Sequence, residues 1–243
     1  MELFIATPPG QGAPSPFIPA HMAYRIGSGP RLLGIRMSKP HQGGLMMADC
    51  RDFDGQGDPA CCCRQIAGEC KRRGFRGMVC DFEGPPVGCL PRLVEQLSRQ
   101  VTLYVPEPFA SFSHTARVLI PSALTTGTLE RRLRTAADRY GVERLTLAVE
   151  WLREDFLLPA SGRGQPITQG ALEEQLRRLE PAVFFDRGLC AHYYTYLAGG
   201  QAHFVLFDTP RSLREKLAVA ERLGVTSALL PPEAGEYSGQ IIE

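Results

Sequence analysis

Two carboxylates one residue apart, Asp81 and Glu83, follow the apolar run Phe75–Cys80 and precede Gly84. In a strand, alternation sends Asp81 and Glu83 to one face and Phe82 to the other. Such a pair can divide labour. Mutual repulsion and partial burial raise the proton affinity of one carboxyl, which then donates to a leaving group near neutral pH. The same spacing also occurs at solvated strand ends and in salt bridges to a following helix, so a catalytic and a structural reading are both open. Arg76 would depress the pair's proton affinity by ion pairing; a place at the strand's base or on its opposite face avoids this.

Other side chains with suitable chemistry are scattered. Glu150 and Trp151 end another apolar run and offer a hydroxyl acceptor and a ring, or simply rim packing. Tyr194 and Tyr196 share one face of a short strand, either lining a cleft or filling a core. Asp208 precedes Thr209-Pro210, where it either faces a site or caps a helix. The five histidines have no i,i+4 pairing, and the eight cysteines include no C-x-x-C pair, so no zinc set is expected. Cys62, Ile66 and Cys70 fall on one helix face, where thiols behave as small hydrophobes; reduced, structural cysteines in a cytosol-like compartment are the expectation.

These residues must be positioned by a regular scaffold. Three times the chain runs through an amphipathic segment, a glycine and a short apolar run: Asp58–Arg73 with Gly74, Leu129–Tyr140 with Gly141, and Pro210 onward with Gly224. Asp58 is placed to cap, Pro59 suits a first helical turn, and Gly74 suits the residue after a helix. Helices alternating with buried-type strands predict an α/β protein with a parallel sheet. Eight runs qualify as strands: 2–7, 31–37, 44–49, 75–81, 101–105, 117–121, 144–151 and 225–230. Eight predicts a compact, irregular (β/α)8 TIM-type barrel whose active face lies at the C-terminal strand ends. Residues 38–43 and 106–116 look too short or irregular for helical crossovers, so part of the helix ring should be missing. Residues 182–208 read as a small antiparallel insertion before the last helix, and the Pro/Gly-rich stretch from Pro8 to Pro30 as a long covering loop.

The 243 residues, 44% apolar and 22% charged, suit one domain spanning the whole chain. With 27 Lys+Arg against 26 Asp+Glu, the chain has no general attraction for nucleic acid or anionic lipid. No apolar run reaches the roughly 18–20 residues of a membrane span. The first residues lack a basic stretch, so no signal peptide is expected and the compartment reads as cytoplasmic, with export by another route left open.

Gly77, Asp81, Phe82 and Glu83 resemble the fourth-strand signature of family 18 glycoside hydrolases, the chitinase-like barrels, written D-G-x-x-x-D-F-E in one branch; Arg76 replaces the first Asp. Gln165–Thr168, Phe185-Asp186, His192–Tyr196 and Gly200–Asp208 with Arg211–Lys216 resemble the branch of spore-cortex-lytic N-acetylglucosaminidases. The resemblance covers most of residues 74–230. It implies substrate-assisted, retaining hydrolysis of N-acetylglucosamine-containing glycans without cofactor or metal. Glu83 would protonate the glycosidic oxygen and Asp81 would support the substrate's acetamido group. Trp151, Glu150, Tyr194 and Asp208 are the candidate substrate contacts. Two departures stand out. The family commonly has Tyr-Asp where this chain has Ile120-Pro121-Ser122, and a Trp where it has Leu230-Pro231-Pro232. A catalytically inactive barrel that binds glycan or a protein partner is the alternative.

Overall fold

A computed structural model describes residues 1–35, 41–160, 162 and 164–242. In chain order the elements are β1 (Glu2–Thr7), β2 (Ile18–Gly27), β3 (Arg31–Gly34), β4 (Leu45–Asp49), α1 (Ala60–Arg73), β5 (Met78–Asp81), α2 (Leu90–Leu97), β6 (Leu103–Pro106), β7 (Arg117–Pro121), α3 (Leu129–Tyr140) and β8 (Leu145–Ala148). Then follow β9 (Arg153–Leu157), β10 (Gln165–Pro166), α4 (Gln169–Leu179), β11 (Phe184–Asp186), β12 (Ala191–Ala198), β13 (Gln201–Phe207), α5 (Pro210–Arg222), β14 (Ser227–Leu230) and α6 (Ser238–Ile242).

Strands β1, β2, β4, β5, β6, β7, β8 and β14 pair in parallel, and β1 joins both β2 and β14, which closes the barrel. Its lumen is filled by side chains: Phe4, Ala6, Ala20, Leu45, Met47, Val79, Tyr104 and Leu119 form one buried cluster. The alternate residues Met46, Ala48, Met78 and Cys80 point outward and pack with Ile66 and Leu93 of the helix layer. The two faces of β4 and β5 are thereby fixed. The helix ring is incomplete. No helix separates β1 from β2, a hairpin partner follows β2, and a 3-10 turn over Glu107–Phe112 replaces the helix after β6.

The second barrel strand differs from the expectation. It is Ile18–Gly27, inside the stretch expected to be a covering loop, while the run at 31–37 contributes only the short β3, antiparallel to β2 and outside the barrel. Residues 36 and 37 of that run lie outside the described residues. A register shift between His21 and Tyr24 breaks the two-residue period of β2, and flanking prolines and glycines mask it. The antiparallel sheet, ordered β10-β9-β13-β12-β11, also starts earlier than residue 182. In β9 only Phe156 is buried, so Arg-Glu-Asp-Phe-Leu shows no apolar run.

Local chemistry explains the elements beside the site. In α1, Cys62, Ile66 and Cys70 are buried on one face, Cys63 joins them, and Gly74 closes the helix at φ 69°. Asp58 does not cap α1 as expected: Pro59 holds the cap position, and Asp58 accepts from the Ala60 N–H at 3.4 Å and lies 3.6 Å from Arg92 Nη2. All eight cysteines are free thiols. Gly77 leads into β5 with no room for a side chain, because a Cβ there would sit 2.3 Å from the Thr102 carbonyl oxygen.

Candidate active site

Asp81 ends β5 on the lumenal face, directly above Val79, and is half-buried at the C-terminal mouth. Phe82 turns the other way, 4% exposed, and meets the Phe109 ring edge-on at 5.4 Å. Glu83 lies beyond the strand end near Asp81, and its side chain is 75% exposed. Arg51 Nη2 lies 3.6 Å from Glu83 Oε1, an exposed pair of the kind worth at most about 1 kcal/mol. Burial raises the pKa of Asp81 from its ordinary value; Arg51 opposes this, and Glu83 and Asp49 add to it.

Arg76 is far from the pair. Its Nη1 lies 3.1 Å from Glu2 Oε1 at the opposite end of the barrel, as the strand-base reading required. The cation beside the carboxylates is instead Arg51, on the loop after β4. Arg25, Asp49 and Arg51 all stand at this mouth and were not singled out from the sequence. One signal pointed to Asp49: Leu-Met-Met-Ala-Asp is, like β5, an apolar run ending in a carboxylate.

The other expected contacts separate into two groups. Trp151 follows β8 at the mouth, half-buried against Tyr237 with ring centroids 5.2 Å apart, and its indole N–H has no hydrogen-bond partner. Glu150 is exposed beside it, and its backbone N–H donates to Ser122 Oγ at 3.1 Å. Tyr194 and Asp208 are corrections. Tyr194 is fully buried beneath α4, with its hydroxyl donating to Gln175 Oε1 at 2.7 Å, so it holds the insertion together and is closed to a ligand. Asp208 is 3% exposed; its Oδ2 accepts from Lys216 Nζ at 2.6 Å and from the Leu152 N–H at 2.8 Å. Nor does Asp208 cap the helix. Thr209 and Ser212 do so reciprocally.

Pro121 and Pro231 end and follow β7 and β14 at the same mouth, where neither provides a hydroxyl or an indole. Among the described residues no group of three or more His, Cys, Asp or Glu is placed to hold a metal ion. No described helix is long and apolar enough to cross a membrane.

No protein family's sequence pattern matches the chain, and no curated protein matches it. Solved structures do. The spore cortex-lytic enzyme SleL of Bacillus megaterium QM B1551 superposes with a TM-score of 0.64 at 12% identity, over 99% of this chain and 73% of that one. A chitinase from Chromobacterium violaceum ATCC 12472 gives 0.67 at 14% identity, covering 93% of each chain. The class V chitinase of Nicotiana tobaccum gives 0.67 at 9% identity over 99% of this chain and 96% of that one, and a mutant of that enzyme is known in complex with NAG4. The likeness suggested by Gly77–Glu83 thus holds for the fold: this chain has the barrel of chitinases and spore cortex-lytic enzymes, with an antiparallel sheet inserted after its seventh strand.

Proposed function

We propose that the protein is a glycoside hydrolase that cleaves N-acetylglucosamine-containing glycans with retention of configuration. The observation that carries this reading is the pair at the mouth: a half-buried, inward Asp81 with a raised pKa beside an accessible Glu83. Glu83 gives its proton to the glycosidic oxygen as that bond breaks. The substrate's acetamido carbonyl oxygen attacks the anomeric carbon, and Asp81 supports the positive charge that develops on the acetamido group. Water then opens the cyclic ion while the Glu83 carboxylate takes back a proton, so the donor is regenerated and no protein nucleophile is consumed. A sugar lying over the mouth would displace water from Glu83 and strengthen its interactions. The NAG4 complex of the tobacco chitinase supports an N-acetylglucosamine polymer as the substrate class, and the spore cortex-lytic neighbours favour peptidoglycan and a spore-associated role.

A second reading, a glycan-binding barrel without turnover, is favoured by Pro121 and Pro231. Losing a hydroxyl that steadies the acetamido group costs on the order of 3–4 kcal/mol of transition-state stabilisation, by analogy with an oxyanion donor. Product release from peptidoglycan and chitooligosaccharides by wild type and Glu83→Gln separates the two. Hydrolysis lost in Glu83→Gln, by 100-fold or more in kcat, is the expected result; equal release by both eliminates Glu83 as donor. Calorimetric binding of N-acetylglucosamine oligomers without any turnover establishes the second reading.

A further inference from the structure

Three charged residues stand in register across neighbouring strands at the mouth: Arg25 on β2, Asp49 on β4 and Asp81 on β5. On β4 and β5 the alternation fixed by Met47 and Val79 turns Asp49 and Asp81 to the lumen, one strand spacing of about 4.8 Å apart. Two carboxyls so placed repel one another, and the strain is relieved when one of them takes up a proton.

The neighbouring donors decide which one. Arg25 Nε lies 2.9 Å from Asp49 Oδ1, and the Arg51 backbone N–H donates to the same oxygen at 3.2 Å. Arg25 in turn reaches Asp52. Asp49 is thus held between two donors, with a side chain only 18% exposed. Asp81 is left as the carboxyl that gains the proton. We infer that Asp49, clamped by Arg25, is a positioning residue that, added to burial, biases Asp81 toward its protonated form and so shifts the acid side of the pH range in which the protein cleaves glycan.

The groups that face Asp81 are Asp49, Cys50 and Arg51 from β4 and its loop, with Arg25 and Asp52 behind them, and Glu83 from its own strand end. On the β6 side the next inward residue beyond Tyr104 is Pro106, which carries no charge. Desolvation and the two neighbouring carboxylates push Asp81 upward against Arg51. Deprotonated Asp81 is the form that supports a cationic acetamido group, so activity should rise as Asp81 ionises.

The catalytic half of this inference rests on the proposed hydrolase reading, whereas its electrostatic half does not, and the experiment reads them separately. The Asp81 carboxyl is titrated by carbon-13 NMR in the full chain, alongside kcat/KM on N-acetylglucosamine oligomers across pH. Asp49→Asn is expected to lower the Asp81 midpoint by about half a pH unit or more. Arg25→Gln frees Asp49 to share the proton and is expected to lower it as well, which keeps the test intact should one variant fail to fold. The acid limb of kcat/KM should follow in each case, and Asp49→Glu should restore the wild-type midpoint. An Asp81 midpoint unmoved by either substitution overturns the inference, as does a shifted midpoint with an unmoved acid limb. A shifted midpoint in a chain that cleaves no glycan at any pH supports the charge row and overturns the hydrolase reading.

Discussion

Asp208 and Lys216 form a buried ion pair eight residues apart, from the residue before the Thr209 cap to two turns inside α5, and Ser212 between them completes the cap. One spacing thereby explains three positions of the Asp-x-x-x-Ser-x-x-x-Lys segment: an anion, a helix cap and a cation that neutralises the anion. The Leu152 N–H on Asp208 ties the same group to the barrel rim. Replacing Lys216 strands a carboxylate in a site where neither partner is more than 1% exposed. Lys216→Met should cost about 3–5 kcal/mol in urea unfolding, whereas the double variant Asp208→Asn/Lys216→Met should recover most of that loss. A single variant as stable as wild type would show that water or another group already satisfies Asp208. Residue chemistry of this kind was invisible in the sequence. Asp208 reads from the sequence as a cap or a ligand, and the position of Lys216 makes it neither.

At the scale of elements, legibility depended on periodicity. The face of α1, the strand ending in Asp81 and the start of α5 at Pro210 follow regular patterns, and each stands where the pattern put it. By contrast β2 was hidden by its own irregularity, and β9 by charged residues that satisfy partners inside the sheet, as Asp155 does with Tyr196 and His203. β2 also carries an unexpected titratable group. His21 is 4% exposed, stacks on His41 at 4.0 Å, and uses Nε2 on the Gly43 carbonyl at 3.2 Å. Burial first, and His41 second, lower its pKa from the ordinary 6.5 to about 4. In that window the unfolded chain binds the proton more readily than the folded one. The contribution of His21 to stability is therefore complete above about pH 6.5 and is lost as the pH falls to about 4. His21→Phe should flatten the fall of the urea midpoint between those pH values, and an unchanged slope would show that other groups govern it.

Across the whole molecule, barrel and insertion are joined by more than two chain crossings. Leu152 and Asp208 exchange backbone and side-chain hydrogen bonds where β8 leads into the insertion and the insertion leads into α5. The Gly188 carbonyl accepts from the Leu129 N–H at the start of α3, and Cys190 is buried in the barrel's own core cluster. We therefore expect residues 1–243 to unfold as one unit, in a single calorimetric transition with equal calorimetric and van't Hoff enthalpies. Two resolved transitions would assign the inserted sheet a stability of its own. The overall architecture was readable because seven of the eight apolar runs are barrel strands and, with three helices each followed by a glycine, constrain an α/β chain to few arrangements. Arg25, Asp49 and Arg51 escaped notice because strand register, which no local pattern encodes, brings them to Asp81.

The chain has one tryptophan, and it stands at the rim of the mouth against Tyr237 with its N–H unpaired. Its fluorescence therefore comes from a single known place. Emission that shifts as an oligosaccharide is added would report occupancy of the mouth in unlabelled protein.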